Sequence, residues 1–276
     1  MKRPSRRQFL QGGLALGGAL LAGDAILEAR HLGVTRLELA SASLPPELDG
    51  LRLAHVTDLH LPCVAADQAA DIITAEGVDL VLITGDTISK HRRLPLITPF
   101  INRMRGRLGT FAVRGNNDHW AHVTVPTLSR VYADGGATLL ENAHATVRHG
   151  GAALQIVGLD DPSVGRPDVD RALRNADPTT PTIWLMHSPY LIDRIDPTEH
   201  HVPRALLVLA GHTHGGQIRG PGCTPHVPPG SGRFRQGWYD AALGPVYISR
   251  GVGTSVLPAR LLCPPELPII TLRRRG

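Results

Sequence analysis

Two histidines two residues apart, His212 and His214, close the stretch Leu206–Gly216, LLVLAGHTHGG. An apolar, strand-like run ends there at Gly211, so both imidazoles are delivered where a strand stops. In extended backbone, side chains two apart share a face about 7 Å apart along the strand. That span suits ligands serving two neighbouring metal ions about 3.5–4 Å apart. A lone His-x-His is a weak signal, but it gains weight from earlier apolar runs that end alike. LRLAHVT delivers Asp58-Leu59-His60, and DLVLIT delivers Gly85-Asp86. Thr110–Arg114 opens into Gly115-Asn116-Asn117-Asp118-His119, and TIWLM ends at His187.

The resulting set is Asp58, His60, Asp86, Asn116, His187, His212 and His214. Oxygen and imidazole donors without thiolate suit Mn, Fe or Zn rather than a structural cysteine-zinc site. Two divalent ions bring about four positive charges, and the two aspartates return two. Even with a bridging hydroxide the centre stays positive and attracts an anion. Such a pair can bind a phosphate oxygen, lower the pKa of a bridging water and offset charge as a P–O bond breaks.

The elements that must position these residues read as follows. VTRLELA, Val34–Ala40, alternates polar and apolar residues as a half-exposed strand does, and Pro45-Pro46 breaks it. Leu51–Thr57 and Asp79–Thr84 read as buried strands separated by a helix over about Ala65–Glu76. Leu94–Arg105 has helical character, and Thr110–Arg114 is a third strand. A helix then precedes short strands around Thr138, Thr146 and Gln155, the last ending at Asp160-Asp161. Thr182–Met186 and Leu206–Ala210 complete the series. A Gly/Pro-rich loop, Gln217–Gly237, precedes strands near Val246–Ser249 and Ile269–Leu272. Strands alternating with helices predict α/β layering, with helices covering a sheet on both sides. Runs without polar alternation fit strands buried on both faces, and ligands gather beyond the carboxyl ends of such strands.

A chain of 276 residues can bury a full core, and 42% hydrophobic with 19% charged residues is ordinary for a globular protein. The net charge of +5 is compatible with phosphate esters, anionic lipid or nucleic acid, and equally with a plain solubility bias. Cys63, Cys223 and Cys263 are odd in number and contain no CxxC pair, so they define no disulfide framework. The first thirty residues stand apart from the fold. Ser5-Arg6-Arg7-Gln8-Phe9-Leu10 precedes a Gly/Ala-rich apolar run, Gly12–Gly23, shorter than a bilayer span. This pattern resembles a twin-arginine export signal. It implies residues 1–30 as a signal or membrane tether, 31–276 as one catalytic domain, and delivery by the twin-arginine machinery to the periplasm or the outer face of the cytoplasmic membrane.

The ordered motifs D-x-H, G-D, G-N-x-D, a single His and G-H-x-H resemble the calcineurin-like metallophosphoesterase family over roughly Leu51–Gly216. The resemblance implies a layered β-sandwich core flanked by helices, with a di-metal site at strand C-terminal ends. It implies that Asp58, His60, Asp86 and His214 hold one ion. Asp86 then bridges to a second, completed by Asn116, His187 and His212. The stretches GHTHGGQIRGPG and YISRGVGTSVLPARLLCPPELPIITL also look like the exported bacterial branch. That branch includes enzymes acting on cell-envelope phosphoesters and on UDP-2,3-diacylglucosamine. The implied activity is attack of a metal-bridging hydroxide on phosphorus in a phosphoester or phosphoanhydride, including a lipid-linked or nucleotide-sugar pyrophosphate.

One position departs from the family pattern. Asn117 stands where the histidine that helps the leaving group is usual, and an amide cannot supply a proton near neutral pH. Either His119 substitutes, or the substrate has a leaving group of low pKa such as a pyrophosphate. Asp118 is a candidate to orient this loop or a neighbouring histidine. Arg114 and Arg219 are candidates for substrate phosphate, each with a solvated side chain as the plain alternative. Arg219, Arg233 and Arg235 beside Phe234, Trp238 and Tyr239 could form a substrate lid or an interfacial patch near lipid headgroups. Absence of HExxH argues against a metalloprotease, and no basic motif supports a nuclease or another nucleic-acid partner. From a different class, a metal-holding envelope protein with little turnover would share every ligand.

Overall fold

The strand Leu80–Thr84 is buried along its whole length. Leu80 and Leu82 pack on one side of it and Val81 and Ile83 on the other, in separate apolar clusters. A computed structural model, describing residues 20–200, 202 and 204–275, shows what covers each side. The twin-arginine pattern at 5–10 lies outside the described residues.

Among the described residues twelve strands form two six-stranded sheets. The first contains β1 (Gly33–Ser41), β2 (Arg52–Val56), β3 (Leu80–Thr84), β4 (Gly109–Val113), β5 (Thr138–Leu139) and β12 (Glu266–Arg274). Its order is β1-β12-β2-β3-β4-β5, with β2 to β5 parallel and β12 antiparallel to β2. The second contains β6 (Ala143–His149), β7 (Ala152–Gly158), β8 (Thr182–Leu185), β9 (Leu207–Ala210), β10 (Gly237–Ala241) and β11 (Gly244–Ile248). Its order is β10-β11-β9-β8-β7-β6, with β7, β8, β9 and β11 parallel.

The sheets pack face to face. Leu53, Leu80, Leu82 and Val113 of one meet Leu154, Ile156, Ile183, Leu185, Leu207 and Leu209 of the other in a shared core. Each fully buried Leu or Ile there stabilises the fold by roughly 1.5–3 kcal/mol. Helices cover only the outer faces. Helix α1 occupies 20–28, and α2 (Val64–Glu76), α3 (Ile97–Arg103), α4 (Asn116–Trp120), α5 (Val125–Asp134) and α6 (Val169–Ala172) follow. Helix α2 turns Ala65, Ala66, Ala69, Ala70 and Ile73 toward Val81 and Ile83. It stops where Gly77 adopts the left-handed conformation and donates its N–H to the carbonyl of Ile73.

The layered β-sandwich flanked by helices that the resemblance implies is the architecture found. Three expectations shift. The first is the sheet with helices on both sides, read from the alternation of strands and helices. Each sheet carries helices on one face and the other sheet on its second, because apolar runs report burial without saying what buries them. The helical stretch from Leu94 is a 3-10 turn over His91–Leu96 followed by α3, since Pro95 cannot donate a backbone hydrogen bond. The loop after Gly216 ends in β10, an edge strand of alternating exposure. Among the described residues no helix is long and apolar enough to cross a membrane.

Glu266 joins the two sheets at one end. Its carboxylate, buried at the start of β12, accepts hydrogen bonds from Thr35 of β1 at 2.8 Å and Tyr247 of β11 at 2.6 Å. The backbone N–H of Arg250 donates to it at 3.0 Å. Burial opposes ionisation, but Arg250, Tyr247 and Thr35 together hold the pKa below the ordinary glutamate value. A depressed folded pKa contributes stability above the unfolded value, about 4.5, that is lost as pH falls through the folded one. Glu266→Gln is expected to cost about 2 kcal/mol at neutral pH. In urea titrations the gap from wild type closes once wild-type Glu266 is protonated; a gap constant with pH refutes the ion-pair account.

Candidate metal centre

Every candidate ligand sits just beyond a strand end, where the backbone takes an unusual shape. Asp58, His60, Asp86, His212 and His214 all have positive φ, between 46° and 69°. Such residues are uncommon, although Asp and His tolerate the left-handed region better than most. Each costs on the order of 1–3 kcal/mol, and such residues gather at functional sites. His212 and His214 therefore do not lie on extended backbone as the sequence led us to expect. They flank a tight turn in which Thr213 Oγ1 accepts from the N–H of Gly215 at 3.1 Å. The turn sends the two rings to different partners.

His214 joins Asp58 and His60. His214 Nε2 lies 3.2 Å from His60 Nε2 and 3.2 Å from Asp58 Oδ1. His212 joins His187 and Asn116: His212 Nδ1 lies 2.9 Å from Asn116 Oδ1 and 3.2 Å from His187 Nε2. Asp86 Oδ2 stands between the groups, 3.6 Å from His60 Nε2 and 3.4 Å from His187 Nε2. Asp58 is common to both potential ligand sets, Asp58-His60-His214 and Asp58-Asp86-His187. Two glycines allow this approach. A Cβ on Gly115 would collide with the Asp86 carboxylate, and one on Gly211 with Thr57 and Asp58.

The far side of two rings fixes what faces inward. His187 Nδ1 is 2.8 Å from the Thr84 carbonyl, and His212 Nε2 is 2.8 Å from the Pro229 carbonyl. A carbonyl only accepts, so those nitrogens carry protons and the opposite lone pairs are directed at the centre. His60 Nδ1 pairs with Ser89 Oγ at 2.7 Å. Asp58 Oδ1 is buried and has no hydrogen-bond partner. Converging nitrogen lone pairs around an orphaned carboxylate oxygen are a donor set that fits divalent cations.

Electrostatics agree. Burial opposes ionisation of Asp58, but His214, His187 and His60 hold its pKa well below the carboxylate range. Burial likewise opposes a charge on Asp86, and His187 and His60 hold it down at about 2. Burial brings His60 down to about 4, leaving it neutral and ready to ligate. For His187 burial is outweighed by Asp86, Asp58 and Asp161, which raise its pKa well above the ordinary value. Without metal, the neighbouring carboxylates favour a proton on His187.

Residues 51–216, more than half of the chain, match the family described as Calcineurin-like phosphoesterase. The chain belongs to that family. It is 32% identical over 289 residues to the uncharacterized metallophosphoesterase YkuE of Bacillus subtilis, covering 99% of each chain. It is 29% identical to a transmembrane protein with metallophosphoesterase domain from Danio rerio, covering 87% of this chain and 57% of that one. Among solved structures, TT1561 of Thermus thermophilus aligns with 74% of this chain and 90% of its own at a TM-score of 0.48 and 14% identity.

In this calcineurin-like phosphoesterase a cavity of about 660 Å³ opens over the ligands, bounded among others by Asp86, Asn116, Asn117, His212 and His214. Asn117 lines it and also braces the centre. Its backbone N–H donates to Asp86 Oδ1 at 2.8 Å and its side-chain amide to Asp86 Oδ2 at 2.6 Å. Asp118 ties the loop: its carboxylate accepts from the N–H of Gly115 at 3.0 Å and of Ile88 at 3.1 Å. Burial and the charge of Asp86 push its pKa up to about 7.

The remaining candidates lie back from the cavity. His119 Nε2 is 2.7 Å from Asp160 Oδ1. Arg114 is buried and pairs with both oxygens of Glu141 and, at 3.4 Å, with Asp160. Arg219 donates to Gln236 Oε1 at 3.1 Å. Arg233 pairs with Asp193 and stacks over Phe234 at 4.6 Å. Sequence reading passes over Arg260, whose buried guanidinium lies 3.4 Å from His214 Nδ1. Its only signal in sequence is its place at the end of YISRGVGTSVLPAR.

Proposed function

We propose that this protein is a two-metal phosphoester or phosphoanhydride hydrolase of the cell envelope. Asp58, His60, Asp86 and His214 would hold one ion, and Asp86, Asn116, His187 and His212 the other. Asp86 Oδ2, standing between the two ligand groups beneath an open cavity, carries this reading. Divalent ions held there would bind phosphoryl oxygens and lower the pKa of water. The protein's own part is to fix the donors. Carbonyls behind His187 and His212 set their tautomers, and Asn117 orients Asp86.

The leaving group decides the substrate class. Asn117 can donate a hydrogen bond to a phosphoryl oxygen but no proton. The Nε2 of His119 is engaged by Asp160, whose charge His119 and Arg114 stabilise against the cost of burial. Both observations favour a substrate that leaves without protonation, a pyrophosphate, with UDP-2,3-diacylglucosamine or another lipid-linked compound as the envelope candidate. Export by the twin-arginine route and a membrane-side location are read from the Ser5–Leu10 pattern.

Hydrolysis of bis-p-nitrophenyl phosphate with added Mn²⁺ tests the reading. A protein that binds the metal and leaves the ester intact is the metal-holding alternative. Across aryl phosphates of rising leaving-group pKa, kcat is expected to fall with one slope in wild type and His119→Ala. A steeper fall in the variant would make His119 the proton donor.

A further inference from the structure

A second cavity of about 410 Å³ adjoins the one over the candidate metal centre. The two share His214, Pro228, Ser255 and Val256 as walls. Beyond the shared wall the second cavity is bounded by Ile218, Pro225 and Leu257. Among the described residues no Asp, Glu, Lys or Arg lines it. Besides His214, its polar members are Thr213, Gln217, His226 and Ser255, and Ile218, Pro225, Pro228, Val256 and Leu257 give it walls that suit a hydrocarbon.

The ridge between the cavities is unusual. Val256 is 100% exposed and has φ of 63°. A β-branched residue in that region is an outlier, and a side chain wholly in solvent recovers none of the cost by packing. Leu257 is 57% exposed beside it. Helix α1, which exposes Leu20 and Leu27, is fixed to the loop that follows Val256. The Ala25 carbonyl accepts from the N–H of Arg260 at 2.8 Å, and the Glu28 carboxylate from that of Leu262 at 3.0 Å.

We infer that the second cavity holds the alkyl or acyl chain of a phosphoester whose phosphorus lies at the metal centre. The inference rests on the hydrolase reading and adds the part of the substrate that selects it. A headgroup at the candidate ligands and a chain passing Val256 would use adjoining cavities, and a volume of this size is within the range of small-ligand sites. Val256 and Leu257 are where the chain leaves water.

The test uses the full chain with Mn²⁺ and p-nitrophenyl alkyl phosphates from methyl to decyl, below their micelle-forming concentrations. In wild type kcat/KM is expected to rise about fourfold for each methylene buried, until the cavity is full. The decyl-to-methyl ratio, taken within each protein, is expected to fall toward unity in Leu257→Asp and Ile218→Asp. Calorimetry with monodecyl and monomethyl phosphate reads the same cavity without turnover. Equal affinities overturn the inference even if every ester is hydrolysed. Tighter, Leu257-dependent binding of decyl phosphate without hydrolysis leaves the chain site standing and removes the hydrolase. Equal affinities with dimers that Leu257→Asp dissociates would make the apolar walls a self-association face, and the inference falls.

Discussion

Asp86→Asn is expected to yield a folded protein that binds at most one divalent ion and no longer hydrolyses bis-p-nitrophenyl phosphate. Asparagine keeps the volume and can still accept from the N–H of Asn117, now 2.8 Å from Oδ1. What it loses is the negative oxygen between His60 and His187. It also turns an amide NH₂ toward the Asn117 side-chain amide, which donates to Oδ2 in the wild type. Two ions bring about four positive charges against two carboxylates, so removing one strips half of the balancing charge. Changes behind a metal ligand cost 10–100-fold in affinity; loss of the bridging ligand is expected to cost more than about 100-fold. Metal content after gel filtration in Mn²⁺ and initial rates check both halves. An NMR titration of the metal-free variant adds a readout, because Asp86 is the strongest attraction holding the His187 pKa up. Two ions retained with turnover intact would remove Asp86 from the bridge and the two-metal reading with it.

The candidate ligands stand out in sequence because the strands that carry them are buried on both faces. Their apolar runs are unbroken, and the first polar residues after them stand out: Asp58 after β2, Asp86 after β3, His187 after β8. The sandwich is not legible on the same evidence. DLVLIT says that both faces of β3 are covered; it does not say that Leu80 and Leu82 meet a second sheet while Val81 and Ile83 meet helices. Arg114 shows the limit for charges. Beside the third motif it reads as a cation for phosphate, but Glu141 and Asp160, distant in sequence, turn it inward. The His-x-His spacing is legible and its backbone is not, since the turn at Thr213 is held by contacts from elsewhere, including the Arg235 carbonyl.

Arg260 presents the opposite case, a residue with no motif of its own and a large expected effect. Its side chain is fully buried, and among the described residues it forms no ion pair; it is held by carbonyls. Nε donates to Gly253 at 3.0 Å, Nη1 to Cys263 at 3.1 Å, and Nη2 to Arg250 at 2.8 Å, Gly251 at 3.0 Å and Gly253 at 2.6 Å. The loop so gathered closes over the metal centre. The N–H of Gly253 donates to the Asp58 carbonyl at 2.7 Å, and Gly251 packs so near that a Cβ there would lie 2.7 Å from Asp58 Cβ. Arg260→Met fills similar space and leaves several buried carbonyls without donors, at about 1–3 kcal/mol for each that water cannot reach. A total loss of about 4 kcal/mol is expected, on the order of 10 °C in melting temperature for a chain of this length. Arg260→Lys supplies one point charge where the guanidinium spans four residues, so it is expected to recover part of the stability. Its Mn²⁺ affinity should stay below wild type, because the loop over Asp58 is still loosely held. If Arg260→Met melts within a degree or two of wild type, the carbonyls find other donors and the loop over Asp58 is held from elsewhere.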